Sequence, residues 1–299
     1  MVTINKRTGL PQAVVINGLD AGGVMTAKIS AGYDTITHSA PDGLQVPLKD
    51  REAQYVRGSI ETQDWSHAIA LLMSTVGTLV FYERKSGVDE ATGYTKHTIT
   101  APVIHSFRLT VTKGNYAKVN FNFECRAADP TKTISDMWTM TDSSPAPTYV
   151  TAARGGVRIE AALHGTLAIN HVTAFSFGIT MQLVKACNDG DIGYTCVDAR
   201  VEGLAADGSI TFQDSTITTG SLLCQQLILA VRANLVLTIR QAQGATDKVL
   251  TIAGVEFNTA DSDSGAEKDF TEYTANFDVA NDATTQLTLA GTNKIIAIA

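Results

Sequence analysis

Six histidines, four cysteines and an acidic run near the C-terminus are the side chains best suited to chemistry in this 299-residue chain. The histidines (His38, His67, His97, His105, His164 and His171) are scattered, and no GxSxG, HExxH, GxxxxGK[ST] or GxGxxG pattern occurs. His67 stands beside Ser66 and three residues after Asp64. On a capped helix that spacing gives local surface bonding rather than a triad fragment. Cys125, Cys187, Cys196 and Cys224 make no CxxC pair and lack histidines at ligand spacing, so no zinc site is expected. Cys125 and Cys224 lie inside apolar segments and read as small core residues. Cys187 and Cys196 flank the turn Asn188-Asp189-Gly190-Asp191. Reduced thiols are the expectation there, with a hairpin disulfide after release into an oxidising medium as the alternative.

The acidic run places Asp261, Asp263, Glu267, Asp269 and Glu272 at positions 1, 3, 7, 9 and 12 of a would-be calcium loop. An EF-hand needs a ligand at position 5, glycine at 6 and flanking helices. Here Gly265 and Ala266 occupy those positions, and strand-like sequence flanks the run. A solvated hairpin tip is the better reading. The chain is therefore expected to have no catalytic, cofactor-binding or metal-binding residues and to be no enzyme.

Elements must then carry the function. Hydrophobic residues make up 44% of the chain and charged residues 18%, which supports a packed core. The net charge of −7 argues against a protein whose task is gripping nucleic acid. No apolar run of about 18 residues is present, so no membrane span is expected. The N-terminus MVTINKRTGLPQ lacks an apolar segment after its basic residues, so synthesis in a reducing cytoplasm is expected.

The periodicity is mostly β. Short alternating runs recur at 24–29, 78–84, 98–103, 107–112, 117–125, 165–170, 174–184, 234–240, 248–257 and 270–279. Lys113-Gly114-Asn115 supplies hairpin turn chemistry. Only two segments read as helices. In the first, 64–76, Asp64 is the N-cap, the apolar stripe runs through Trp65, Ala68, Ile69, Leu72, Met73 and Val76, and Gly77 ends it. The second spans about 219–231, with Leu223, Leu227, Ala230 and Val231 as its stripe.

The surroundings of the two helices match. Gly58-Ser59-Ile60 precedes the first, and Gly208-Ser209-Ile210 the second. Leu79-Val80 to Arg84 follows the first, and Leu235-Val236 to Arg240 the second. Asn122-Phe123-Glu124 answers Asn276-Phe277-Asp278. These matches keep their order at nearly constant offset, which predicts an internal duplication. The fold expected is mainly β with one helix per copy, in two tandem similar domains at 1–130 and 156–299. The stretch 131–155 reads as a linker, and all seven prolines lie at or before Pro147. Residues 1–150 balance 14 basic against 14 acidic side chains, so the whole net charge belongs to the second half.

A β-rich domain opened by Gly58, Ser59, Ile60 and Asp64 and continued by Leu79, Val80 and Phe81 resembles the tail-tube and baseplate-hub proteins of tailed bacteriophages. The resemblance covers roughly residues 15–130 and 156–285. The second copy departs from the pattern where its helix begins, with Thr219 or Ser221 in place of the capping aspartate. The resemblance implies a β-sandwich or barrel with the helix packed at its side. It also implies six-domain rings stacked into a DNA conduit, located in the virion tail and assembled in the host cytoplasm. A duplicated chain implies a ring of three subunits. Its partners would be its own copies, other tail or baseplate proteins, and double-stranded DNA passing without specific binding.

Such a role needs sheet edges rather than pockets. An acidic lumen repels phosphate, whereas a basic one would hold it. Two alternatives remain: a distal-tail or hub ring on the same fold, and a β-sandwich adhesion or carbohydrate-binding module. The latter calls for exposed aromatics, yet Trp65 falls on a helix stripe and Trp138 in the linker.

Overall fold

The structure is a computed structural model, and it describes residues 7–16, 19–20, 24–38, 48–72, 77–85, 93–126, 134–144, 158–186, 198–214, 231–240, 246–263, 271–281, 287–288 and 294–299. The chain is mainly β, as its alternating runs predict, with a large antiparallel sheet and a smaller one. The first half runs β1 (Arg7–Ile16), β2 (Leu19–Asp20), β3 (Val24–His38), β4 (Leu48–Thr62), α1 (Trp65–Leu72), β5 (Thr78–Lys85), β6 (Tyr94–Thr100), β7 (Val103–Thr112), β8 (Lys118–Arg126), α2 (Ile134–Met137) and β9 (Trp138–Ser144). The second half runs β10 (Arg158–His164), β11 (Leu167–Ile169), β12 (Val172–Ala186), β13 (Asp198–Asp214), β14 (Arg232–Arg240), β15 (Lys248–Asp263), β16 (Thr271–Val279) and β17 (Ile296–Ile298).

The pairings repeat. In the first half the ladders are β2·β1, β1·β5, β5·β6 and β6·β9, then β7·β8, β8·β4 and β4·β3. In the second they are β11·β10, β10·β14, β14·β15 and β15·β17, then β15·β16, β16·β13 and β13·β12. Over the described residues the ladders of the two halves follow the same order. Even the irregularities coincide. A register shift between Pro11 and Ala13 on β1 answers one between Ile159 and Ala161 on β10. Another between Ile104 and Ser106 on β7 answers one between Phe257 and Thr259 on β15.

The sequence repeat has a local physical cause. Gly58 lies opposite Phe123 and Ser59 opposite Asn122, while Gly208 lies opposite Phe277 and Ser209 opposite Asn276. The Gly-Ser-Ile and Asn-Phe matches are thus the two sides of one cross-strand unit. Each ring lies over its glycine: a Cβ on Gly208 would sit 2.5 Å from the Ser176 carbonyl oxygen and 2.7 Å from Phe277 Cε2. Only a residue without a side chain permits that approach.

One expected strand is corrected. The run 98–103 is not continuous, because Ala101 takes φ +47° and ends β6 before Pro102. Its N–H donates to the Gly77 carbonyl at 2.8 Å. In the second half the chain passes the matching point within one strand, β15, where Gly254 has φ +67°. The left-handed residue therefore breaks the strand in one half and bends it in the other.

Alternation sets the layers. Phe121, Phe123 and Cys125 on β8 and Phe175, Phe177 and Ile179 on β12 are all buried, and their neighbours on each strand face the other way. The first helix begins after Asp64, whose carbonyl accepts the Ala68 N–H at 3.0 Å. Its stripe residues Trp65, Ala68 and Ile69 are at most 1% exposed. Residues 73–76, and 219–230 of the expected second helix, lie outside the described residues. Within 131–155, read above as linker, α2 leads into β9, which joins the small sheet beside β6. The counterpart, β17, joins beside the same stretch of β15 in the second half.

The halves meet through a ladder. β7 pairs with β12 from Ser106↔Thr180 to Thr112↔Ala174, which merges the two large sheets into one.

Candidate assembly surface

Three of the side chains singled out for chemistry, His97, His164 and Cys125, are packed into the core. Cys125 is fully buried, and burial together with the Glu124 charge pushes its thiol up to about 12. Such a thiol is no nucleophile at neutral pH. His164 is fully buried, with Nε2 at 2.9 Å from the Val255 carbonyl and its ring edge-on to Phe257. His97 stacks on Phe81 and its Nδ1 accepts the Trp138 indole N–H at 3.2 Å. Its Nε2 stands 3.4 Å from Glu83 Oε2. A buried histidine hydrogen-bonded to Trp138 and stacked on an aromatic ring is a core element, and it fixes β9 onto the small sheet. Trp65 is buried and Trp138 is half-buried, so neither offers a ring to a sugar.

His105 lies at the β7 register shift, and burial lowers its pKa against the opposing pull of Glu124. The His67 side chain, Cys187, Cys196 and Cys224 lie outside the described residues. So does the middle of the acidic run, of which Asp261 and Glu272 sit on adjacent strands, β15 and β16. Among the described residues no group of three or more His, Cys, Asp or Glu could hold a metal ion.

Two hollows, of about 500 and about 430 Å³, lie against the polar face of the large sheet. Ser59, Asn122 and Arg108 in their walls are positioned by strand alternation on β4, β8 and β7. The hollows hold no reactive pair. They are the spaces between side chains on a sheet face.

What the fold does expose is edges. Among the described residues β3 pairs on one side with β4 and has no ladder on the other. β15 pairs with β14 over Lys248–Glu256 and with β16 over 255–263. On the side of β14, the stretch 257–263 carries no strand among the described residues. The equivalent side of β7 is occupied by β12. An unpaired row of N–H and C=O groups is a template for another strand.

The polar face of the large sheet is divided in charge. Strand register places Lys28, Arg57, Arg108 and Lys118 on it in the first half, with Glu61 and Glu124. In the second half it places Asp207, Asp261, Glu272 and Asp278 there. At the seam, the Arg108 guanidinium donates to Asp207 Oδ2 at 2.6 Å and to Ser176 Oγ at 2.9 Å. The acidity of the second half is visible in the sequence but the seam is not, because the partners are 99 residues apart. No helix among the described residues is long and apolar enough to cross a membrane. Neither protein-family models nor curated proteins give a match to this chain.

Proposed function

We propose that this chain is a structural protein without enzymatic activity, two copies of one β unit that build a ring from three subunits. Stacked rings would form a tube, with the chain serving as a phage tail-tube subunit in the virion tail, assembled in the host cytoplasm. The observation that carries the reading is the β7·β12 ladder. It joins unit to unit inside the chain, and the edges that correspond to it, β3 at one end of the large sheet and the stretch 257–263 of β15, carry no ladder there among the described residues. A head-to-tail contact repeated by rotation closes into a ring.

The geometry is self-consistent. From β15 to β3 the large sheet offers eight strands per chain in order. Three chains would close twenty-four strands, a barrel about 45–50 Å across between backbones at a tilt of about 40°. Barrels of about 16–18 strands already leave a water-filled channel. The core and the second layer cover one face of this wall, so the polar face would line the bore. Around that bore, mixed-charge sectors would alternate with acidic ones. DNA would meet no continuous basic track to bind.

The tail assignment also rests on the resemblance at Gly58, Ser59, Ile60 and Asp64. A distal-tail or baseplate-hub ring on the same fold is the second reading, and the same edges favour it. Negative-stain electron microscopy of the concentrated full chain tests the proposal. Rings or tubes with six-lobed cross-sections are expected; dispersed single particles at every concentration would overturn it.

A further inference from the structure

The internal repeat allows the seam between the halves to be transposed, residue by residue, onto the open edges. Gly58 lies opposite Ile29 on β3, and Gly208 opposite Phe177 on β12. Ile29 therefore corresponds to Phe177, Lys28 to Ser176, Ser30 to Gly178 and, one residue before each glycine, Arg57 to Asp207. On the other side, Arg108 lies opposite Asn120, three residues before Phe123, and Asp261 opposite Thr274, three residues before Phe277. Arg108 therefore corresponds to Asp261.

In the seam, Arg108 is opposite Gly178. Its guanidinium crosses that glycine so closely that a Cβ there would sit 2.9 Å from Nη2. The crossing delivers it to Asp207 on the next strand and to Ser176 two positions along. Transposed, Asp261 stands opposite Ser30, with Arg57 in the place of Asp207 and Lys28 in the place of Ser176. The ion pair returns with its polarity reversed. Lys28 and Asp261 have no ion-pair partner among the described residues, and Arg57 turns its guanidinium over the Tyr55 ring at 3.9 Å.

We propose that β3 of one chain pairs with residues 259–263 of β15 of a second copy, in the register of the β7·β12 seam, and that the reversed ion pair forces the two kinds of joint to alternate. This deepens the ring reading and rests on it. Pairing β7 with a foreign β3 would set Arg108 against Lys28 and Arg57. Pairing β15 with a foreign β12 would set Asp261 against Asp207. Both wrong joints place like charges together, and repulsion of that kind supplies specificity. Only first half to second half remains allowed, so a closed ring contains whole chains in one direction.

The two joints also differ in strength. The inner seam buries Phe107 and Leu109 against Phe177 and Ile179. The outer joint would bring together Ala260 and Ser262 with Ile29 and Ala31. Smaller side chains bury less apolar area, so the outer joint leans on ladder hydrogen bonds and charge. Assembly should therefore weaken as salt rises.

The test uses the full chain and native mass measurement across concentration. Asp261→Arg should lower the association constant by at least about tenfold, with the same loss from Lys28→Asp combined with Arg57→Asp. All three changes together should restore assembly, because the ion pair is rebuilt with the seam's own polarity. A second probe works without altering charge. Directly opposed positions on antiparallel strands are about 4.5–5.5 Å apart between Cα atoms, within disulfide reach. Ala31→Cys with Ala260→Cys should cross-link chains on oxidation, whereas Ala31→Cys with Ser262→Cys, out of register, should not. An unsubstituted chain that never associates overturns both this joint and the ring. Rings that form normally in the charge variants, or that cross-link only out of register, overturn this joint alone.

Discussion

Replacing Gly208 with alanine tests whether the Gly-Ser-Ile repeat exists for the reason given. The added Cβ would meet the Ser176 carbonyl oxygen at 2.5 Å and Phe277 Cε2 at 2.7 Å, with Phe277 Cζ nearer still. Ordinary contacts of this kind are about 3.5–4.0 Å, so something must move by about 1 Å. The ring has little room, being 1% exposed and stacked at 6.2 and 6.3 Å on Phe175 and Phe177. The carbonyl belongs to β12, which is held by β13 on one side and β7 on the other. Overpacking costs about 1–3 kcal/mol, and with backbone on one side and packed ring on the other the upper part of that range is expected. Denaturant midpoints with unchanged slopes measure the loss. Phe277→Leu in the same chain should recover at least about 1 kcal/mol relative to the sum of the single changes, since the two sites touch. A loss below about 0.5 kcal/mol, or strict additivity, would refute the close-approach argument. Gly58→Ala should behave alike, for its Cβ would meet the Lys28 carbonyl oxygen and, at 2.8 Å, Phe123 Cζ.

Three further outcomes are expected. Ile69→Ala, at 1% exposure on α1, should cost about 2–5 kcal/mol in the same assay; a loss well under 1 kcal/mol would take the helix off the core. Ala101→Gly should raise stability by up to about 1 kcal/mol, because an L-residue at φ +47° is strained there; an Ala101→Gly chain less stable than the parent would contradict this. His105 has a folded-state pKa below 6.5, so between that lowered value and 6.5 the unfolded chain holds a proton that the folded chain lacks. Its contribution is therefore complete above about 6.5 and lost as pH falls through the window, and His105→Gln should flatten the pH dependence of the denaturant midpoint relative to the parent chain.

Part of this architecture was legible in the residues themselves. Asp64 at the N-cap and the Trp65, Ala68 and Ile69 stripe mark α1, because cap and stripe are both local signals. The repeat was legible as three short matches, two of which, Gly-Ser-Ile and Asn-Phe, are the facing sides of one close-packed glycine–phenylalanine contact in each half. The break at Ala101 was not, because the alternation of 98–103 runs on across the bend and only a hydrogen bond to Gly77 reveals it. β9 read as linker because Asp142-Ser143-Ser144-Pro145 carries turn chemistry. Its place in the sheet depends on Trp138 meeting His97, 41 residues away. The open edges are a matter of register, and register between distant strands leaves no mark in a single sequence.

If two equivalent units per chain close a six-unit ring, three chains complete it. Native mass measurement of the smallest complete assembly tests it most directly. Three chains in the smallest complete assembly are the predicted result. A closed ring of six chains, or a single chain at every concentration, would contradict the account.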